Sequence, residues 1–430
     1  MMQNNKLQHK KNQSGLSLIE LMVALIIGLI VSLAIYGVMA SSEGRKRTTT
    51  SVNDIGQSGA YAAYQLDKTL RSAGSGYGAT SNAALTYGCP LRAAVNGTQI
   101  LPSLTVFPAP FAAVPQALPL TPVVIVSGGA GAGGDVIITM AGSGGLSESG
   151  TRFQNVPSAT QLSLESVSAF RASDTGGTSD IILLANQPAA NQANCLISQV
   201  SPAFAIRYNQ APPVLADTST LALGANVNPN YYQPTVNGTA IAGYSTSAVV
   251  LNLGQNPNFS MFAVGASTAG GTKAAAGNNT LFKYDLLNVA DAAAANASAN
   301  PSVFSDGVYA MRAMYGVDND GNAATTTINW VPPTGAYAAN LLLDGSIASS
   351  TLLQTIVAVK VALILQSSLP EIMPAGQPGI ASPGLTYAND GTASFTLFSD
   401  TPTPVTQMVA PTNLRYRVFE TTIPIRNRLL

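Results

Sequence analysis

Apolar and polar residues alternate with three different periods along this chain. Residues 16–40 form an apolar run of 25 residues carrying one charge, Glu20. At about 1.5 Å per helical residue the run is roughly 37 Å long, more than the ~30 Å of a bilayer core. Behind it Val52, Ile55, Gly59, Ala62, Leu66 and Leu70 recur at helical spacing, with Gln57, Gln65, Asp67, Lys68 and Arg71 between them. One long helix is therefore expected over residues 16–72, stopped by Gly74-Ser75-Gly76, its first half in apolar surroundings and its second half laying a stripe on the rest of the chain. Gly28, Gly37, Gly44, Gly56 and Gly59 each weaken it by about 1 kcal/mol relative to alanine.

From Thr80 onward the segments are short, β-branched or aromatic, and bounded by Gly, Pro or Asn, which reads as strand. Strands are expected at 123–126, 135–140, 180–184, 195–200, 203–208, 248–253, 258–264, 280–284, 356–365 and 415–425. Residues 356–365 are the strongest of these. Nearly every residue there is apolar, so both faces of that strand are expected to be covered. The tracts 127–134, 266–279 and 291–300 read as long loops. There is no internal repeat.

The 430 residues are enough for a large head of one or two domains. Only 9% are charged, against about 25% in ordinary soluble domains. With 39 Gly and 26 Pro this describes a loop-rich extracellular surface better than a cytosolic enzyme. Net charge is zero; without Lys6, Lys10 and Lys11 at the start, 17 basic side chains stand against 20 acidic ones. Such a balance does not attract nucleic acid. The single histidine, His9, lies ahead of the apolar run, so the rest of the chain has no imidazole for acid–base catalysis, nucleophile activation or metal binding. No cofactor is expected. Cys89 and Cys195 are too few for a structural zinc site. In an oxidising compartment they read as one disulfide, the alternative being two separate buried thiols.

Glu20 is costly in hydrocarbon, on the order of 2.5–3.5 kcal/mol, and such a group usually has a partner. If the chain is cut after Gly15, a new amine appears on Leu16. Leu16 and Glu20 are four apart and share a helix face, so a neighbouring helix of the same kind can set its amine against this carboxylate. Gly15, Leu16 and Glu20, with the apolar run, resemble the class III signal of type IV prepilins. That resemblance implies cleavage after Gly15 by a prepilin peptidase, methylation of Leu16, and filament docking through Glu20. An ordinary secretory signal, for which Val38-Met39-Ala40 offers a cleavage site, and a plain single-pass anchor are the alternatives. The leader lysines suit a cytoplasmic N-terminus. Arg45-Lys46-Arg47 on the far side reads as a solvated turn beside lipid headgroups.

Two further segments resemble the PilW-type minor pilins: 307–321, from Gly307-Val308-Tyr309 through Tyr315 to Gly321, and the tail 415–428, beginning Arg415-Tyr416-Arg417-Val418-Phe419-Glu420. The stretch Leu70-Arg71-Ser72-Ala73-Gly74 fits the same family. The resemblance leaves residues 91–300 unexplained, as an insertion longer than usual. It implies an α+β, pilin-like fold: one long N-terminal transmembrane or filament helix packed on an antiparallel β-sheet, with large loop insertions. The expected organisation is a leader at 1–15, a transmembrane or filament-core helix at 16–40, its amphipathic continuation at 41–73, and a β-rich periplasmic or extracellular head at 74–430. The implied partners are the prepilin peptidase, other minor pilins, the major pilin and the inner-membrane assembly platform. A minor pseudopilin of a type II secretion system and a pilus-tip adhesin remain as alternatives.

Two other motifs have plainer readings. Gly129-x-Gly131-x-x-Gly134 matches a dinucleotide-binding pattern by letter, but a strand-like stretch follows where a helix is needed, so a hairpin loop is expected. Asp318 and Asp320, within Asp318-Asn319-Asp320-Gly321, resemble the start of a calcium loop, but the glycine is misplaced and Asn329 stands where a bidentate Glu belongs. A turn between strands is the expected reading.

Overall fold

The computed structural model describes residues 17–78, 86–128, 133–143, 150–172, 179–186, 194–204, 219–224, 229–267, 274–288, 301–318, 328–371, 373, 376–388 and 390–425. The chain divides into two units, Met1–Asn53 and Asp54–Leu430. An α+β arrangement is observed: one N-terminal helix, Leu18–Arg71, and a mostly antiparallel β-domain.

The first unit carries the apolar part of that helix. It is long and apolar enough to cross a membrane, and its large side chains, from Leu18 to Met39, are exposed on every side. Arg45-Lys46-Arg47 lies within the helix and not in a turn, and Arg45 and Lys46 are exposed.

In the second unit the helix buries Ile55, Gly59, Ala62, Leu66 and Leu70, spaced three or four apart. Gly59 is more than a weak point. A Cβ there would stand 2.2 Å from Leu365 Cδ1 and 2.7 Å from the Phe419 ring. The missing side chain lets the helix approach the sheet closely, which outweighs its intrinsic propensity cost of about 1 kcal/mol. The helix ends at Arg71, and the turn that follows it carries Gly74 and Gly76, both at positive φ (79° and 83°).

The larger sheet has nine strands. Its main path runs Tyr416–Pro424, Ile356–Gln366, Ser302–Val317, Ala274–Asp285, Asn258–Ser267, Val136–Ala141, Val123–Val126, all neighbours antiparallel. Asn329–Val331 pairs with the long strand Ser302–Val317 on one side, and Gly133–Gly134 joins it in parallel. Ile356–Gln366 is buried along ten of its eleven residues. Its alternation is real but hidden, because Val359, Val361, Leu363 and Leu365 enter one core while Ala362 and Ile364 enter another. The second of these cores lies under a three-stranded sheet, Leu385–Tyr387, Ala393–Leu397 and Val405–Val409.

The stretch 91–300 is far from a mere set of loops. Five of its strands belong to the nine-stranded sheet. Others form a mixed six-stranded sheet in the order Thr98–Leu101, Leu91–Val95, Cys195–Gln199, Ile181–Ala185, Val249–Gly254, Thr151–Arg152. In this sheet Ile181, Leu183, Ile197 and Leu251 face the core shared with the helix and larger sheet, while Ile182, Leu184, Leu196 and Val250 face a separate core.

Three sequence expectations need correction. Within 266–279, read as loop, residues 266–267 close strand Asn258–Ser267 and residues 274–279 open strand Ala274–Asp285. Residues 133–134, read as loop, pair with Ser302–Val317. Residue 203 lies in a turn and residue 204 in no strand, and 205–208 fall outside the described residues. Strand propensity at 203–208 says nothing about whether an edge is available for pairing.

Candidate functional site

Glu20 sits in the first turn of the helix, where its charge suits the partially positive N-terminal end. It is exposed, and among residues 18–40 it is the one charged side chain. Gly15 and Leu16 fall outside the described residues. The N-terminal candidate is therefore an apolar cylinder bearing one carboxylate near its start.

The other candidate residues lie in the head. The two distant segments 307–317 and 416–424 flank the same strand, Ile356–Gln366. Arg415 is held by its own chain: its Nε and Nη2 bind the two carboxylate oxygens of Glu371 at 2.5 and 3.0 Å. Arg417 is exposed and lies over the Phe419 ring, 4.8 Å from its centre. Asp318 follows the long strand, and its backbone N–H donates to Thr355 O at 2.9 Å. Asp320 falls outside the described residues, and among the described residues no three Asp, Glu, His or Cys side chains gather as a metal site.

Cys89 and Cys195 are disulfide-bonded, with Cα atoms 5.7 Å apart, across a sequence separation of 106. The bond clamps the one parallel pair of the six-stranded sheet, where Leu91 stands opposite Cys195 and the Cys195 N–H donates to Pro90 O at 2.9 Å.

A buried polar group escaped the sequence reading. Arg312 and Asp135 form an ion pair at 2.9 Å, with only 6% and 4% of their side chains exposed. Asp135 Oδ2 also accepts the Ala313 N–H at 3.0 Å, and Arg312 Nε donates to Gln407 Oε1 at 2.7 Å. Burial pushes the Asp135 carboxyl above its ordinary range, against the lowering influence of Arg312 and two backbone N–H donors. Gly134 makes this approach possible: at φ +82°, a Cβ on it would lie 2.0 Å from Met311 O. The last glycine of the Gly129-x-Gly131-x-x-Gly134 pattern thus admits a neighbouring strand; Gly129 and Gly131 lie outside the described residues. The signal available in the sequence was period-2 placement of Arg312 within an apolar strand, which demands a buried counter-charge. Lys360, in the neighbouring strand, is likewise buried; it binds Asp400 and lies 5.4 Å from the centre of the Trp330 ring.

Comparison with known proteins bears on both ends of the chain. Residues 10–36 match the model of the prokaryotic N-terminal methylation motif. Residues 262–427 match that of type IV pilus-assembly protein W, PilW. That span takes in the strands from Asn258–Ser267, which it enters part-way, to Tyr416–Pro424. No curated protein and no solved structure matches the chain. With the methylation motif on an apolar N-terminal helix and the pilus-assembly segment in the sheet that follows, this chain resembles type IV pilins at its start and the PilW family over its last part.

Proposed function

We propose that this chain is a minor pilin of the type IV pilus. In this reading a prepilin peptidase cuts after Gly15, Leu16 becomes methylated, and the chain joins other minor pilins and the major pilin to prime the filament at its tip. Residues 1–15 serve as leader, 16–40 as membrane span and later filament core, 41–73 as the continuation onto the head, and 74–430 as a periplasmic, then surface, head. The N-terminus faces the cytoplasm. Glu20 docks the helix by meeting the Leu16 amine of a neighbour in surroundings of low dielectric, where an unpaired charge of either sign is costly.

One observation carries the reading: the methylation motif at 10–36 and the pilus-assembly match at 262–427 stand at opposite ends of a single chain. Pilins work as structural subunits, and no catalytic role is assigned here. Mass spectrometry of the mature protein tests it. A methylated N-terminal Leu16 is expected, and a chain beginning at Ser41 would overturn the reading. The Glu20→Ala protein should be cut and remain in the membrane, yet enter pili poorly.

A further inference from the structure

The two outer edges of the nine-stranded sheet differ. Val123–Val126 is short and fully buried, and the Ile125 N–H on its far side donates to the Tyr315 hydroxyl at 2.5 Å. That edge is closed. Tyr416–Pro424 has nine residues and, among the described residues, pairs only with Ile356–Gln366. In its register the odd residues bond inward, as the Ser367 N–H to Arg415 O (2.8 Å) and the Ile425 N–H to Val357 O (2.9 Å) show at the two ends. The even residues therefore direct N–H and C=O away from the sheet. Tyr416 uses its N–H on Ser382 Oγ at 2.9 Å, and Pro424 has none. Val418, Glu420 and Thr422 between them are left with outward backbone groups, and Glu420 and Thr422 are exposed. Unpaired N–H and C=O groups in strand geometry are a template for another strand.

We propose that this edge receives an extended strand from a different pilin-like subunit, one that sets a basic residue opposite Glu420. The proposal rests on the assembly function above and names the contact through which the head would exercise it. Charge decides against a second copy of this chain. An antiparallel self-pair using all three open positions sets Val418 against Thr422 and Glu420 against Glu420. Directly opposed like charges at about 5 Å are destabilising. Shifting the register by one ladder step draws in either Tyr416, whose N–H Ser382 already occupies, or Pro424, which has none. Glu420 is held in place beside the edge, since its Oε1 accepts the Phe398 N–H at 3.0 Å. The helix supplies a flank for the incoming strand. A Cβ on Gly56 would stand 3.4 Å from Arg417 Nη1, so this side of the helix borders the last strand. At 100° per residue, Ala60 and Tyr64 continue that side outward, and Tyr64 is 64% exposed.

The test uses the full chain in the cells that make it. A photo-crosslinking phenylalanine derivative at Thr422 should join this chain to a second protein that itself carries an N-terminal methylation motif, through a peptide in an extended segment. The same group at exposed Thr105 should not. Thr422→Pro removes one outward N–H without touching the inner ladder, and Glu420→Arg reverses the charge. Each should lower co-purification of that partner at least tenfold while Cys89–Cys195 still forms and the membrane level holds. A crosslink to a second copy of this chain, to a protein without the motif, or to nothing overturns the proposal, as does unchanged co-purification in Glu420→Arg. These failures are separable from failure of the function itself. If Leu16 is methylated and Glu20→Ala blocks incorporation while the edge variants behave normally, only the edge proposal falls.

Discussion

The nine-stranded and six-stranded sheets solve one burial problem with different chemistry. Each carries strands with apolar cores on both faces, and each contributes alternate residues to the core they share. The larger sheet holds its distant parts together with charge: Asp135 reaches across to Arg312, which reaches on to Gln407. The smaller uses a covalent clamp at Cys89–Cys195 and hydrogen bonds centred on a neutral side chain, Asn252. That residue donates to Ala169 O at 2.6 Å and Asp180 Oδ2 at 2.8 Å, and accepts from the Gly254 N–H at 2.7 Å. The difference matters for the boundaries of the head. Asp135 lies far outside the matched span 262–427, yet Arg312 and Ala313, which bind its carboxylate, lie inside it. The stretch 91–300 therefore cannot be lifted out as one insertion, because it contains strands and a counter-charge that the pilus-assembly segment needs.

The comparison can be broken most severely at Gly134. Gly134→Ala places a Cβ 2.0 Å from a main-chain oxygen and at a φ that alanine rarely adopts. We expect no folded head to accumulate, measured as loss of the protease-resistant core and of the Cys89–Cys195 bond. Arg312→Met should fold but lose about 3–5 kcal/mol in denaturant unfolding, because Asp135 is left buried without its counter-charge. Adding Asp135→Asn should recover part of that loss; no recovery would mean that Arg312 acts through packing alone. In the smaller sheet, Cys195→Ser should cost about 2–5 kcal/mol, the usual range for a bridge across a long loop. Its effect should appear first as proteolysis near the parallel pair of strands. Asn252→Ala is the mildest change, about 1–3 kcal/mol, since it orphans a buried carbonyl and removes a donor from Asp180. If it proves as costly as Arg312→Met, the contrast between the two sheets is wrong.

Several elements were legible before any coordinates. The helix period exposed the stripe from Ile55 to Leu70, and nine of ten expected strands have counterparts in the fold. Val52, the first position of the expected stripe, is exposed instead. The longest strand, Ser302–Val317, is not among the ten expected strands; only its second part stands out, through the family resemblance of 307–321. Its first residues mix Ser302, Ser305 and Asp306 with Val303 and Phe304, and Gly307 at φ +77° interrupts the pattern. The three-stranded sheet at 385–409 was missed, because its strands run three to five residues and alternate buried with exposed positions too briefly to stand out. On the candidate site, Gly15, Leu16 and Glu20 were singled out by sequence alone, while the open edge at Val418, Glu420 and Thr422 was not. An edge is a property of which strand lacks a neighbour, and no local pattern records it.

What the sequence determined by itself is whatever depends on near neighbours along the chain. That includes the apolar run with one carboxylate, the helical stripe behind it, the strand character of the rest, and the absence of histidine beyond residue 9. Tertiary structure alone decided what depends on distant residues meeting. It made Gly59 a contact point and not only a weak helix residue, turned Gly134 from a loop glycine into a strand crossing, paired Asp135 with Arg312 across 177 positions, and left one edge of the larger sheet open. The physical reason is the range of the forces involved. Helix and strand periods act over a few residues, whereas close packing, burial of charge and strand pairing depend on spatial neighbours that sequence distance does not reveal.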